Sequence, residues 1–260
     1  MPRPRAIVLR APGTNCDEET AAAWEQAGAE AETWHVGRLL ESPHALDGFQ
    51  ILTIPGGFSY GDDLGAGRIF ATRLGTVLED ALDRFRDRGG LILGICNGFQ
   101  VLVRAGLLPG GPKPCAATLT FNDSGHFESR WVRLAPVPGR SPFLTDGEVI
   151  ELPVAHGEGK FVLGDEAALA DLEAAGQVVL RYVDESGNPT QAYPANPNGS
   201  PGAVAGVCDP TGRVFGLMPH PERHIDPFHH PRWTRRGPAT EGDGLRIFRN
   251  AVEAVSLVLA

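Results

Sequence analysis

In the stretch LILGICNGFQ (91–100), Cys96 lies between Gly94 and Gly98, where an apolar run ends and a helical pattern begins. A thiol on a sharp strand-to-helix turn is lifted above the sheet, and flanking glycines relieve the crowding that such a turn creates. The first turn of the helix also places backbone N–H groups and the positive end of the helix dipole beside the sulfur, an environment that stabilises a thiolate. If that thiolate attacked a carbonyl carbon, the N–H of Asn97 would point at the developing oxyanion. On G-x-C-x-G alone, a catalytic elbow and a buried cysteine in a glycine-rich turn stand level. A cysteine nucleophile also needs a base, and the base an orienting partner. FGLMPHPERH supplies both in one tripeptide, His220-Pro221-Glu222, directly after an apolar run. Pro221 stiffens the turn, and the carboxylate can fix the imidazole tautomer. The pair of motifs together favours catalysis over a structural histidine.

The elements that must position these residues follow from periodicity. RAIVLR (5–10), AETWHV (31–36), QILTIPGG (50–57) and LILGI (91–95) read as strands, separated by helical patterns at CDEETAAAWEQAGA and at 71–90. Strands alternating with helices predict an α/β, flavodoxin-like, doubly wound and mostly parallel sheet, in which ligands gather at the carboxyl ends of the strands. The Gly56-Gly57 pair and Cys96 fall at such ends. The second half is looser; WVRLAPV, EVIELPVAH, QVVLRYV and AVAGVCD predict additional, largely antiparallel strands on the same core, followed by RVFGLMPHPE and a last helix GLRIFRNAVEAVSLVL. With no internal repeat and no long linker, residues 1–260 read as a single domain.

Composition narrows the function. Hydrophobic residues at 42% and charged residues at 21% suit a globular protein, with no apolar run long enough to span a bilayer. The apolar stretch behind the two N-terminal arginines is too short for a signal peptide, so the expected location is cytoplasmic. A formal charge of −9 argues against a general nucleic-acid binder, and the basic PRWTRRG patch is short. Cys16, Cys96, Cys115 and Cys208 lie far apart with no CxxC pair, so neither a zinc site nor a disulfide framework is suggested, and all but Cys96 read as buried, inert thiols. The histidines of the irregular segment 224–244 invite a metal reading, but a docking or surface loop fits better without a matched carboxylate set. No G-x-x-x-x-G-K-[ST] loop is present, so nothing suggests that this chain handles ATP.

GICNGFQ with a downstream HPE resembles the class I, triad-type glutamine amidotransferases. Within them, PGGFSYGDDLGAG (55–67), NDSGHFESRWVRL (122–134), PVAHGEGKF (153–161), NPNGS (196–200) and GLMPHPERH (216–224) are similar to the glutaminase subunits of phosphoribosylformylglycinamidine synthase. The resemblance implies Cys96 as nucleophile, His220 as general base and then acid, Glu222 as the residue orienting the imidazole, and the N–H groups of Gly57 and Asn97 as the oxyanion hole. Gln100, one turn beyond Cys96, matches a residue that helps hold glutamine. Phe58, Ser124, Phe127, His156 and Gly157 lie in segments that could line the glutamine pocket, although Phe127 could merely fill the core and Asn122, Ser124 or NPNGS merely form turns. The implied reaction is hydrolysis of L-glutamine to glutamate and ammonia through a thioester. The implied partners are a synthase subunit, which would use ATP and Mg to convert formylglycinamide ribonucleotide to its amidine, and a small accessory subunit. The rival readings are a glutaminase serving another synthase, a cysteine hydrolase or stress protein on the same fold, and a scaffold without hydrolytic activity.

Overall fold

The computed structural model describes residues 3–62, 65–111, 117–137, 140–145, 147–237 and 239–259. Cys115 and the second aspartate of the GDD triplet, Asp63, lie outside them. The strands are β1 (Arg5–Arg10), β2 (Glu30–His35), β3 (Ile51–Ile54), β4 (Leu91–Ile95), β5 (Ala117–Thr120), β6 (Glu128–Pro136), β7 (Ile150–His156), β8 (Lys160–Leu163), β9 (Val178–Val183), β10 (Val204–Cys208) and β11 (Val214–Leu217). The helices are α1 (Asp17–Ala27), α2 (Val36–Glu41), α3 (Arg68–Val77), α4 (Glu79–Asp87), α5 (Asn97–Arg104), α6 (Glu166–Ala174), α7 (Trp233–Arg236) and α8 (Leu245–Leu259).

Nine strands form one mixed sheet in the order β2-β1-β3-β4-β11-β10-β9-β6-β7, and β5 pairs with β8 in a separate ribbon. The first five run parallel to their neighbours, and antiparallel pairing begins between β11 and β10. All of β3 and β4 and the middle of β1 are buried, as expected of central strands covered by helices on both faces. On one face Trp24 of α1 meets Phe248 of α8 edge-on at 4.8 Å and donates to Thr53 Oγ1 of β3 at 2.9 Å. This joins the first and last helices over the sheet.

Three sequence expectations change in detail. The helix expected over 71–90 is two helices, α3 and α4, meeting at Leu78, whose φ of −105° and ψ of 2° leave the helical basin. Leu78 is fully buried there, and Glu79 and Asp80 provide an acidic first turn suited to a new helix start. The second strand stops at His35, because the His35 imidazole accepts from the Gly37 N–H at 3.1 Å and so caps α2. The β5–β8 ribbon and α6, with Asp165 as its side-chain cap, carry periodicity too short to announce itself.

The chain runs from β1 to β2 on one side and then crosses to β3 on the other side of β1, so the order reverses there. Crevices at the carboxyl ends of strands at such a switch are ligand sites. The loops after β1, β3, β4 and β11 meet in this region.

Candidate active site

Cys96 follows β4 and precedes α5 with φ 51° and ψ −104°, a conformation unfavourable for a side-chain-bearing residue. Its neighbours make the turn possible. A Cβ at Gly98 would lie 1.8 Å from the Ile54 carbonyl oxygen, and one at Gly94 would lie 2.5 Å from Leu102 Cδ1. Both glycines therefore allow α5 to press onto β3 and β4. The Cys96 N–H donates to Leu217 O at 2.8 Å, tying the elbow to the end of β11, and its thiol faces Ala155 O of β7 at 3.7 Å.

His220 stands three residues past β11. Its Nδ1 pairs with Glu222 Oε1 at 2.6 Å, both side chains being shut off from solvent. The other ring nitrogen, Nε2, has no hydrogen-bond partner among the described residues, and neither has Glu222 Oε2. Burial alone would lower the proton affinity of His220, but the Glu222 carboxylate and then the Cys96 sulfur outweigh it and hold the pKa well above the usual imidazole range. Glu222 thus holds Nδ1 and leaves Nε2 unengaged.

His220 is anchored to an edge strand. The His220 N–H donates to Pro153 O of β7 at 2.9 Å, the Glu151 N–H donates to Asp243 Oδ2 at 2.8 Å, and His224 Nδ1 bonds Glu151 O at 2.7 Å. His220, His224 and Asp243 therefore occupy the open hydrogen-bonding edge of β7, which would otherwise invite pairing with another chain. His230 bonds the Glu151 carboxylate at 3.0 Å, and Trp131 meets both His224 and His230 edge-on. These histidines are engaged in packing the loop rather than grouped as ligands.

Gly57 and Asn97, expected as oxyanion donors, lie in the turns that follow β3 and β4. Gly57 has φ 142°, and its N–H, like that of Asn97, has no acceptor among the described residues. The turn is held by the loop after β1: Phe58 N–H donates to Gly13 O at 2.9 Å, and Cys16 N–H to Gly56 O at 3.3 Å. The Asn97 side chain joins the turn to α5, accepting from the Ser59 N–H at 3.3 Å and donating to Gln100 Oε1 at 2.9 Å and Asp62 Oδ1 at 3.3 Å.

Gln100 is buried, and its Nε2 donates to Glu158 O at 2.7 Å. Both ends of its amide are thus engaged, joining Asn97 to the turn after β7. Phe58 and Phe127 are about half exposed, at 48% and 54%, so Phe127 is no core filler. Ser124 is half-buried and accepts from the His126 N–H at 3.3 Å. Gly157 is also half-buried, and a Cβ there would touch the Phe127 ring at 3.9 Å. His156 is buried with Nε2 unpartnered; burial, and then the charge on His220, lower its pKa to about 4.

Two segments read as possible simple turns do more. Asn122 is a buried hub, donating to His126 O at 2.9 Å and His156 O at 2.8 Å and accepting from Gly159 N–H at 3.0 Å. In NPNGS, Asn198 bonds the buried Tyr182 hydroxyl at 3.0 Å and Ser200 Oγ at 2.7 Å, while Ser200 Oγ accepts from Phe161 N–H at 3.0 Å.

Cys16, expected to be a buried and inert thiol, lies 4.0 Å from His220 Nδ1. It is an unsuitable nucleophile: it is 1% exposed, it faces the nitrogen already held by Glu222, and burial pushes its thiol up to about 11. Cys16, His220 and Glu222 offer three ligand atoms within 4.8 Å of one another. A cation there would have to displace the Arg223 guanidinium, 3.1 Å from the sulfur, and break the His220–Glu222 bond.

The family profile of the CobB/CobQ-like glutamine amidotransferase domain matches residues 3–255. Phosphoribosylformylglycinamidine synthase subunit PurQ of Dehalococcoides mccartyi is 49% identical, covering 97% of this chain and 98% of that protein. Human phosphoribosylformylglycinamidine synthase is 38% identical over 96% of this chain, which spans 20% of that longer protein. A chain in the structure of PurLQS from Thermotoga maritima superimposes with a TM-score of 0.74 at 34% identity, covering 98% of this chain and 100% of that one. The chain therefore belongs to the glutamine amidotransferases, in the family of the PurQ subunits of phosphoribosylformylglycinamidine synthase.

Proposed function

We propose that Cys96, His220 and Glu222 hydrolyse L-glutamine, and that the ammonia passes to a synthase subunit that makes formylglycinamidine ribonucleotide. The observation that carries this is the His220 ring, fixed through Nδ1 by buried Glu222 while Nε2 stays unpartnered beside the Cys96 elbow. In the first step Cys96 Sγ, its proton already held by His220 Nε2, bonds the side-chain amide carbon of glutamine. The oxygen takes the negative charge and is held by the Gly57 and Asn97 N–H groups. Collapse breaks the C–N bond as His220 returns the proton to the departing nitrogen, releasing ammonia and leaving a thioester. His220 then takes a proton from water, the hydroxide adds to the thioester carbon, and glutamate leaves with Cys96 restored.

Phe58, Ser124, Phe127, His156 and Gly157 form the group from which glutamine contacts are drawn, and Gln100 acts with them through Asn97 and Glu158. We infer an assembly like that of the PurLQS relative, with a synthase subunit and a small accessory subunit, and place the ATP and Mg requirement in the synthase. Residues 1–260 are read as one glutaminase domain, since the nine-stranded sheet draws on both halves of the sequence. No helix among the described residues is long and apolar enough to cross a membrane, and we place the enzyme in the cytoplasm with its pathway.

Glutamate release is measured for the chain alone and with the synthase and accessory subunits, ATP, Mg and formylglycinamide ribonucleotide. Weak activity alone, a marked rise in the full mixture and formation of the amidine support the reading. Full activity without partners removes the dependence on docking, and amidine formation that fails with glutamine but proceeds with added ammonia removes the glutaminase role.

A further inference from the structure

Cys16 lies where the two halves of the catalytic machinery touch. Its N–H donates to Gly56 O at 3.3 Å, one residue before the oxyanion glycine. Its sulfur lies 4.0 Å from His220 Nδ1 and accepts from Arg223 Nη2 at 3.1 Å. Arg223 in turn pairs with Glu19 of α1 at 2.8 Å, so the HPE turn is strapped to the helix that Cys16 begins. The Cys16 thiol donates to Asn15 Oδ1 at 3.1 Å, which directs its lone pairs toward the guanidinium and the imidazole. A Cβ placed on Gly56 would lie 2.7 Å from His220 Cε1 and 3.1 Å from Cys16 Sγ, so ring edge, sulfur and oxyanion turn share one spot with no room to spare.

We propose that Cys16 is a positioning residue for the glutaminase reaction: its buried sulfur wedges the His220 ring against Glu222 and holds the Gly56–Gly57 turn in register with it. This rests on the reading of His220 as the base. The chemistry suits a neutral thiol. Sulfur is large and a weak hydrogen-bond acceptor, so it fills the space at the ring edge without competing strongly with Glu222 for the Nδ1 proton. A serine hydroxyl would be smaller and a stronger competitor, and an alanine would leave a gap into which the ring can tilt. The turn is bonded to the Cys16 backbone and packed against its sulfur, and the base rests on that same sulfur. Loosening it should misalign proton transfer and oxyanion contact together, while the glutamine pocket near 124–127 and 156–157 stays intact.

The test compares wild type, Cys16→Ala and Cys16→Ser in the complete complex with glutamine, following kcat and KM separately. The Nδ1–H proton resonance of His220 is recorded on the isolated chain. A displacement of catalytic groups by about 1 Å can cost on the order of 100-fold in rate. We expect kcat to fall by about 10- to 100-fold in Cys16→Ala with KM within about 3-fold, and the downfield Nδ1–H signal to shift or broaden through exchange with water. Cys16→Ser should show the same changes to a smaller degree, and it serves as the readout if the alanine variant folds poorly. An unchanged kcat with an unchanged resonance overturns the proposal. So does a loss of activity that only tracks loss of folded protein while the resonance in the folded fraction stays put. If the wild-type complex fails to use glutamine, the reading of His220 as base fails instead, and the resonance still decides whether Cys16 holds the ring.

Discussion

Replacing Gly57 with alanine tests the oxyanion hole at a position where the structure leaves little room. A Cβ at this position would lie 2.8 Å from Asn15 N, Gly13 O and Thr14 Cα, all backbone atoms that cannot swing aside. The native φ of 142° is itself adopted reluctantly by any residue with a side chain, at a cost of about 1–3 kcal/mol. Both pressures are relieved by rotating the 56–58 turn, and that rotation takes the Gly57 N–H away from the oxyanion. Losing one such donor typically costs about 3 kcal/mol of transition-state stabilisation, on the order of 10²- to 10³-fold in kcat. The assay is glutamate release by the full complex at saturating glutamine, with KM and thermal melting measured beside it. The expected result is kcat down by about 100-fold or more, KM changed by less than about 3-fold, and Tm lower by several degrees. Gly89→Ala is the control, since Gly89 has φ 92° with nothing within 4 Å of its Cβ position. It should lose about 1 kcal/mol of stability and no activity. A folded Gly57→Ala enzyme with kcat near that of wild type would refute the assignment of Gly57 as an oxyanion donor.

Glu222→Ala should leave the fold intact and lower kcat by at least about 100-fold, because the imidazole loses the partner that fixes its tautomer; near-normal turnover in steady-state kinetics would deny Glu222 that role. His156, with its pKa depressed to about 4 from an ordinary 6.5, stays neutral in the folded state while the unfolded chain takes up a proton. Its contribution therefore falls as pH drops below 6.5 and levels off near 4. Between pH 7 and pH 5 wild type should lose about 2 kcal/mol more stability than His156→Gln in urea melts, and equal losses would contradict the buried, neutral imidazole. Phe127, half exposed, should be dispensable for stability but not for substrate: Phe127→Ala should keep Tm within about 2 °C and raise KM for glutamine, whereas an unchanged KM removes it from the pocket.

Local chemistry was readable in the sequence where a few adjacent residues determine it. The apolar runs of β1, β3 and β4 are central strands, and the glycines around Cys96 mark a tight elbow for the steric reason that the Ile54 carbonyl later shows. Pro221 between His220 and Glu222 likewise makes a turn that brings the two side chains together. What stayed hidden depends on partners far away in the chain. Cys16 resembled any buried thiol until His220, 204 residues on, was placed against it. Asn122 looked like a turn former, yet its side chain binds backbone groups at 126, 156 and 159. The irregular 224–244 segment carries no periodic pattern because much of its bonding goes to the edge of β7 and the Glu151 carboxylate. The single helix expected over 71–90 failed for a related reason, since Leu78 turns into the core where the spacing alone allows the helix to continue.

The central claim is that Cys96 is the nucleophile, and covalent trapping tests it most directly. The complex is treated with an electrophilic glutamine analogue, and the labelled peptide is identified by mass spectrometry alongside residual glutaminase activity. The account predicts one label per chain, on Cys96, with activity falling in step, protection by glutamine, and neither label nor glutamate release in Cys96→Ala. Modification of Cys16 or Cys208 in place of Cys96, or sustained glutamate release by Cys96→Ala, would contradict it.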